Sequence, residues 1–337
     1  MRVAVVILNW NGRNFLEKFL PAVISNSKES EIIVADNDSS DGSVDFLKKN
    51  FPEIRIIVNS ENGGFAKGYN DALKQVNADI YILLNSDIEV TQNWIKPVLD
   101  LMGKDNTIAV CQPKIKSYYS KSDFEYAGAA GGFIDTLGYP FCRGRLFQTI
   151  ETDEAQYDDI CEVFWASGAC MFVRADIFHK FGGFDEDFFA HMEEIDFCWR
   201  VKNEGYKIMY CADSVIYHIG GGTLPKSSAQ KTYLNFRNNL SLLFKNLPAS
   251  KLYFVMPTRL VLDIIAGIKF FLNGDFKDAI AVVKAYGHFY LMLSKNYSKR
   301  KAINHKYVNK IYKNSIVIDY FMRNIKKFSQ LKPNKFS

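Results

Sequence analysis

Apolar runs of strand length recur in the first third of the chain, at 3–8, 31–35, 54–58, 80–84 and 108–111. Helix-like stretches lie between them, at about 13–26, 42–50, 65–77 and 91–103. Short strands alternating with helices predict βαβ units and an α/β fold with a mostly parallel, Rossmann-like sheet flanked by helices. Such sheets bind ligands beyond the carboxyl ends of their strands. Those ends are polar here: Asn9-Trp10-Asn11-Gly12, Asp36-Asn37-Asp38-Ser39-Ser40-Asp41-Gly42-Ser43, Asn59-Ser60-Glu61-Asn62-Gly63-Gly64 and Asn85-Ser86-Asp87. Any one tip could be ordinary loop and helix-cap chemistry. Four on one sheet edge point to a site.

The pattern changes after residue 115. Residues 116–160 are irregular and glycine-rich, with an acidic stretch at 151–162. They predict a long loop or small subdomain beside the site. Strand character returns at 163–173, helices are expected near 175–181 and 192–204, and short strands at 207–211 and 214–218. From 229 to about 328 the pattern is helical.

The 337 residues are 48% apolar and 23% charged, which excludes general disorder. The net charge of +5 hides a split. Residues 246–337 hold 17 Lys/Arg against 4 Asp/Glu, whereas residues 1–245 hold 25 against 33. A basic quarter on an acidic body suggests an anionic partner surface. The basic residues lack an aromatic stacking platform, so nucleic acid is disfavoured and lipid headgroups are favoured. The six cysteines form no Cys-x-x-Cys pair and several sit in apolar runs, which reads as buried free thiols in a reducing compartment. The N-terminus turns polar too soon for a signal peptide, so a cytoplasmic protein is expected.

No Gly-x-Gly-x-x-Gly follows the first strand, and no P-loop or Gly-x-Ser-x-Gly elbow occurs. What remains is acids and amides. Asp36 ends a buried strand, where a carboxylate needs donors that a nucleobase imide or ribose hydroxyl would supply. Asp87 is placed to hold Mg²⁺ or Mn²⁺ on a diphosphate, and His218 could add an imidazole ligand. In His191-Met192-Glu193-Glu194-Ile195-Asp196 the acids suit a helix start, and one of the paired glutamates reaching an open site would be a general base. Asp196 and Arg200 are spaced to pair on one helical face.

Taken in order, these phrases resemble the family 2 glycosyltransferases of the GT-A fold, especially the rhamnosyltransferase-like branch. The resemblance also takes in Asn62-Gly63-Gly64-Phe65-Ala66-Lys67-Gly68-Tyr69-Asn70, Ser167-Gly168-Ala169 and Gly182-Gly183-Phe184-Asp185-Glu186, and spans residues 1–245. It implies a nucleotide-binding half at 1–115, an acceptor and catalytic half at 116–245, and a basic helical extension at 246–337. It implies inverting transfer from a nucleotide diphosphate sugar, with rhamnose on thymidine diphosphate favoured by the branch and a uridine carrier the other choice. Asn9, Asn11, Asp36, Asp38, Asn62, Gly64, Asn70, Asn85 and Ser86 would line the donor site. Asp87 and His218 fall at metal positions, although Asn85-Ser86-Asp87 lacks one carboxylate of the Asp-x-Asp motif. Glu194 matches the base, with Glu193 orienting the acceptor or the helix start. Trp165, His191 and Asp196 are acceptor-side candidates, and Arg237-Asn238 could reach the diphosphate.

Residues 252–272 are very apolar but contain Arg259, Asp263 and Lys269, which argues against a spanning helix, and Arg259 and Asp263 are four apart and could pair. An in-plane interfacial helix fits, with a lipid-linked saccharide as acceptor at the inner leaflet. Packing on the catalytic domain and a homodimer interface are the other readings. A non-catalytic nucleotide-sugar-binding subunit is the alternative to an enzyme. A nucleotidyltransferase is disfavoured, because only Arg13 is basic near the first strand.

Overall fold

A computed structural model describes residues 1–220, 228–306 and 308–337. The elements run β1 (Val3–Asn9), α1 (Arg13–Asn26), β2 (Glu31–Asp36), α2 (Ser43–Asn50), β3 (Arg55–Val58), α3 (Gly64–Leu73), β4 (Ile80–Asn85), β5 (Ile88–Val90), α4 (Lys96–Lys104) and β6 (Ile108–Ser117). β1 and β4 are apolar on both faces, as strands buried between helix layers must be. They pair in parallel with each other, β1 with β2 and β2 with β3. The register sets Asn9 opposite Asp36 and Leu8 opposite Asn85, which brings the polar tips to one level.

The second half continues with β7 (Gly132–Asp135), β8 (Pro140–Cys142), β9 (Arg145–Leu146), β10 (Thr149–Ile150), β11 (Ile160–Val163), β12 (Cys170–Arg174), α5 (Ala175–Lys180), α6 (Glu193–Asn203) and β13 (Lys207–His218). The main sheet has the order β11-β13-β6-β12-β4-β1-β2-β3, with β5 paired to β13. The β4-β1-β2-β3 half is parallel, as the alternation predicts. β12 enters antiparallel between β4 and β6, so the other half is mixed. The two short strands expected at 207–218 are one strand, with a register shift between Cys211 and Val215. Its far end sets His218 opposite Ile88 of β5, next to Asp87.

The stretch read as irregular forms most of a second sheet, β10-β9-β8-β7-β14. β14 (Ile311–Tyr312) comes from the C-terminal tail and pairs in parallel with β7. Helices α7 (Ala229–Asn246), α8 (Ala249–Leu272), α9 (Phe276–Leu291) and α10 (Leu293–Lys301) precede it, and α11 (Ile316–Phe321) follows. The helical run expected to reach about 328 therefore ends near 301. Beyond it, Phe328 and Phe336 pack on Phe133 and Phe141, which draws the tail back onto the second sheet. All six cysteines are free, and all but Cys161 are buried.

Candidate active site

The strand tips border a cleft of about 460 Å³. Leu8, Trp10, Asn37, Asn62 and Gly64 line one side, and Asn85, Ser86 and Asp87 form the floor. Glu125, Tyr126, Ser167 and Gly168 contribute from the second half. His191, Glu193, Glu194, His218 and Lys231 close it.

The nucleotide-side tips are built from amide ladders. Asn37 Nδ2 donates to Asn62 Oδ1 at 2.9 Å and to the Gly64 carbonyl at 3.1 Å, while Asn59 Nδ2 donates to Asn37 Oδ1 at 3.0 Å. Gly64 has φ +77°, and a Cβ there would collide with the Phe189 carbonyl oxygen. Only glycine lets the loop before α6 approach α3 this closely.

Asp36 does not line this cleft. Its donors come from the protein itself: Asn9 Nδ2 at 2.9 Å and the Ser39 amide at 2.9 Å. Asn11 is occupied in the same way, its amide donating to Ser39 Oγ and its Oδ1 accepting from the Ser40 amide. Asp38 is an exposed left-handed turn residue. Together with Asn9 these side chains shape the β1 and β2 tips and stand outside the cleft wall.

Three further expected residues lie elsewhere. Asn70 is spent on the Phe184 backbone and Glu186, bracing the turn before α6. Trp165 is buried, its Nε1 donating to the Phe133 carbonyl at 2.9 Å and its ring lying where any Gly132 side chain would be. Asp196 does pair with Arg200, and it also meets Lys245 and Asn246, so its carboxylate is fully engaged beneath α6. Arg237 and Asn238 grip protein carbonyls. Asn238 Nδ2 donates to those of Phe188, Ala190 and His191 at 2.7–2.9 Å, and Arg237 to those of Asp187 and Phe188. These bonds hold a loop in which Phe189, His191 and Met192 all have positive φ. Non-glycine residues in that conformation carry strain that the surroundings must impose, a common feature of active sites.

That loop delivers Glu193 and Glu194 to the first turn of α6. Burial pushes Glu194 up to about 7, and burial together with the neighbouring Glu194 charge pushes Glu193 well above the ordinary carboxyl range. Among the described residues, one oxygen of each, Oε2, is buried without a hydrogen-bond partner. Burial and the nearby Lys231 charge lower His191 to about 4, so its imidazole is neutral, and its Nε2 is likewise unpartnered.

Across the cleft His218 Nε2 stands 3.1 Å from Asp87 Oδ1, and Nδ1 stands 3.3 Å from Glu125 Oε2. Burial disfavours the imidazolium, but Glu125 and Asp87 outweigh it and hold His218 at about 10. Glu125 escaped sequence reasoning. It sits in the aperiodic stretch after β6, where an acid before the Ala127-Gly128 turn carries no pattern. Among the described residues no cluster of three or more His, Cys, Asp or Glu side chains has an arrangement that would hold a metal unaided. A carboxylate and an imidazole facing one polar cleft nevertheless fit a divalent cation that takes its other ligands from a diphosphate and water, provided the cation displaces the proton that Asp87 and Glu125 hold on His218.

The profile described as Glycosyl transferase family 2 matches residues 4–182. The chain belongs to this family. The enzyme is therefore a glycosyltransferase, and the cleft lies where strands of the matched segment end. It is 25% identical over 230 residues to the N-acetylglucosaminyl-diphospho-decaprenol L-rhamnosyltransferase of Mycobacterium tuberculosis, covering 64% of this chain and 75% of that one. It is 24% identical over 243 residues to the low-salt glycan biosynthesis hexosyltransferase Agl10 of Haloferax volcanii, covering 70% and 73%. Among solved structures it resembles GalNAc-T7 with UDP, GalNAc and Mn²⁺, with TM-score 0.56 and 18% identity over 75% of this chain and 49% of that one. That likeness is one of fold.

Proposed function

We propose that this glycosyltransferase moves a sugar, with inversion, from a nucleotide diphosphate donor to a hydroxyl of a glycan or lipid-linked saccharide in cell-surface polysaccharide synthesis. The observation that carries the reading is the placing of Asn85-Ser86-Asp87 and His218 against Glu193 and Glu194 around one cleft. The relatives' names favour rhamnose as the sugar and a lipid diphosphate saccharide as the acceptor. The donor is then dTDP- or UDP-linked. The enzyme works in the cytoplasm, peripheral at the inner face of the membrane, where such donors and acceptors meet.

Inversion is one displacement at the anomeric carbon. It needs a base on the acceptor side and charge stabilisation on the leaving diphosphate. A Mn²⁺ or Mg²⁺ held by Asp87 and His218 would supply Lewis acidity to the leaving group. Glu125 backs His218 and fixes which ring nitrogen faces Asp87. Asn62, Gly64, Asn85 and Ser86 border the donor. Glu194, with a pKa near 7, is poised to accept the acceptor hydroxyl's proton. Glu193, its carboxyl pushed up by burial and by the neighbouring Glu194 charge, stands beside it to orient the acceptor or the helix start. His191, neutral and with an Nε2 that has no partner among the described residues, bonds a sugar hydroxyl.

The missing carboxylate at Asn85 favours a second reading, a subunit that binds nucleotide sugar without turning it over. Incubation with Mn²⁺ or Mg²⁺ and a panel of uridine, thymidine and guanosine diphosphate sugars separates the two. Release of nucleotide diphosphate from one donor, lost in Glu194→Gln, supports transfer. Binding without release in the presence of lipid-linked saccharides would favour the second reading.

A further inference from the structure

The helical hairpin α8–α9 is amphipathic in the reverse sense for a helix facing water. Its charged pair points inward: Arg259 and Asp263 are 3% and 1% exposed and lie 3.3 Å apart. Arg259 also donates to Asn239 Oδ1 at 2.6 Å and to the Leu137 carbonyl at 3.1 Å, and it stacks on the Tyr139 ring. Asp263 accepts from Tyr286 at 2.9 Å and from Tyr139 at 3.3 Å. These groups lock α8 to α9 and to the second sheet.

Meanwhile Ile264, Ile265 and Ile268 on the outer face are 51%, 56% and 54% exposed. Phe254, Val261 and Leu272 extend the same face along a helix about 36 Å long. On α9, Ile280, Val283 and Leu291 are exposed as well. Burying an ion pair while leaving such a run of isoleucines outside is unfavourable in water, because both the charges and the apolar surface lose by it. The arrangement makes sense when the outer surface meets a non-aqueous medium. Contiguous apolar patches on this scale mark interaction surfaces.

Charge identifies the occupant. The exposed charged side chains of α8 and α9 are Lys251, Lys269, Lys277 and Lys284, all basic, with Asp275 at the turn between the helices. Pairing this face with its own copy would oppose lysine to lysine with little acid to neutralise it. A bilayer with anionic headgroups satisfies both parts, taking the apolar side chains at the acyl boundary and the lysines at the phosphates. No helix among the described residues is long and apolar enough to cross a membrane, so the hairpin would lie in the interface plane.

We infer that the outer face of the α8–α9 hairpin is a membrane-docking surface that seats the enzyme in plane on an anionic bilayer. Docking fixes the cleft relative to the lipid. Tyr233 and Thr232, in the first turns of α7, bond His288 and Asp278 of α9, and the same helix start carries Lys231 at the cleft rim.

The test floats full-length protein at low salt with vesicles of phosphatidylcholine, alone or with one-third phosphatidylglycerol. Wild type should rise with the anionic vesicles and much less with the neutral ones. Ile264→Glu/Ile268→Glu should lose vesicle partition at least tenfold. Both positions are exposed, so thermal unfolding and calorimetric binding of the nucleotide diphosphate should be unchanged, which separates this result from any failure at the active site. In an Ile265→Trp variant, lipids brominated on the acyl chains should quench the added fluorescence. Wild type that stays in solution with both vesicle types would overturn the inference. So would flotation without quenching at position 265, or a lipid-free dimer that the same double substitution dissociates.

Discussion

Glu194→Gln should remove activity and raise stability at the same time. The folded protein holds the Glu194 carboxyl at about 7, against an ordinary value of 4.5, chiefly through burial. An acid whose pKa is raised on folding destabilises the native state once the unfolded chain ionises. The penalty begins above about pH 4.5 and is complete above about pH 7. A rise from 4.5 to about 7 corresponds to roughly 3 kcal/mol. Glutamine keeps the shape without the charge. The variant should therefore match wild type near pH 4.5 and exceed it by up to about 3 kcal/mol at pH 8, several degrees in Tm. Loss of the general base should cut kcat by about 10²–10⁴-fold. Wild-type kcat should fall below pH 7 as Glu194 takes up its proton. Thermal unfolding at pH 4.5 and pH 8 beside a turnover assay checks all three. A variant with wild-type turnover, or a stability difference that does not depend on pH, would refute the reasoning.

Other perturbations reach other parts of the site. Asp87→Ala and His218→Ala should each abolish measurable Mn²⁺ binding by electron paramagnetic resonance, and excess chelator should silence the wild type. Glu125→Gln should weaken Mn²⁺ by about 10–100-fold without removing a ligand, because it only orients His218. Asn238→Ala strips the hydrogen bonds from three carbonyls of the strained loop. It should cost about 1–3 kcal/mol in urea unfolding and raise KM for the acceptor more than for the donor. Gly64→Ala places a methyl against the Phe189 carbonyl at φ +77° and should lower donor affinity measured by calorimetry.

The parallel half of the sheet was legible because β1 and β4 are buried on both faces and therefore read as unbroken apolar runs. Their tips were legible because Asn, Asp and Gly cluster where such strands end. The donor-side role of Asp36 was read from a buried strand-end carboxylate in need of donors and that of Asn11 came by analogy; both stand outside the cleft, among partners supplied by neighbouring loops that no spacing reveals. The same holds for Trp165, where an indole suited to a sugar is turned onto the Gly132 backbone by packing alone. Glu125 had no local signature, since its meaning comes from β13 carrying His218 to it across 93 residues. The Arg259–Asp263 pair was readable from its four-residue spacing. Which side of α8 it faces was not, because hydropathy along an apolar helix leaves the inner face unmarked. The tail strand β14 was hidden for a related reason, as two residues of strand leave no period.

The most direct test of the central claim is calorimetric titration of a nucleotide diphosphate sugar panel into the protein with Mn²⁺. The account predicts selective binding of one thymidine or uridine diphosphate sugar, lost in Asp87→Ala and retained in Glu194→Gln, because the first would hold the cation on the donor's diphosphate and the second would act on the acceptor. A folded protein that binds none of the panel, or binds equally well after Asp87→Ala, would contradict it.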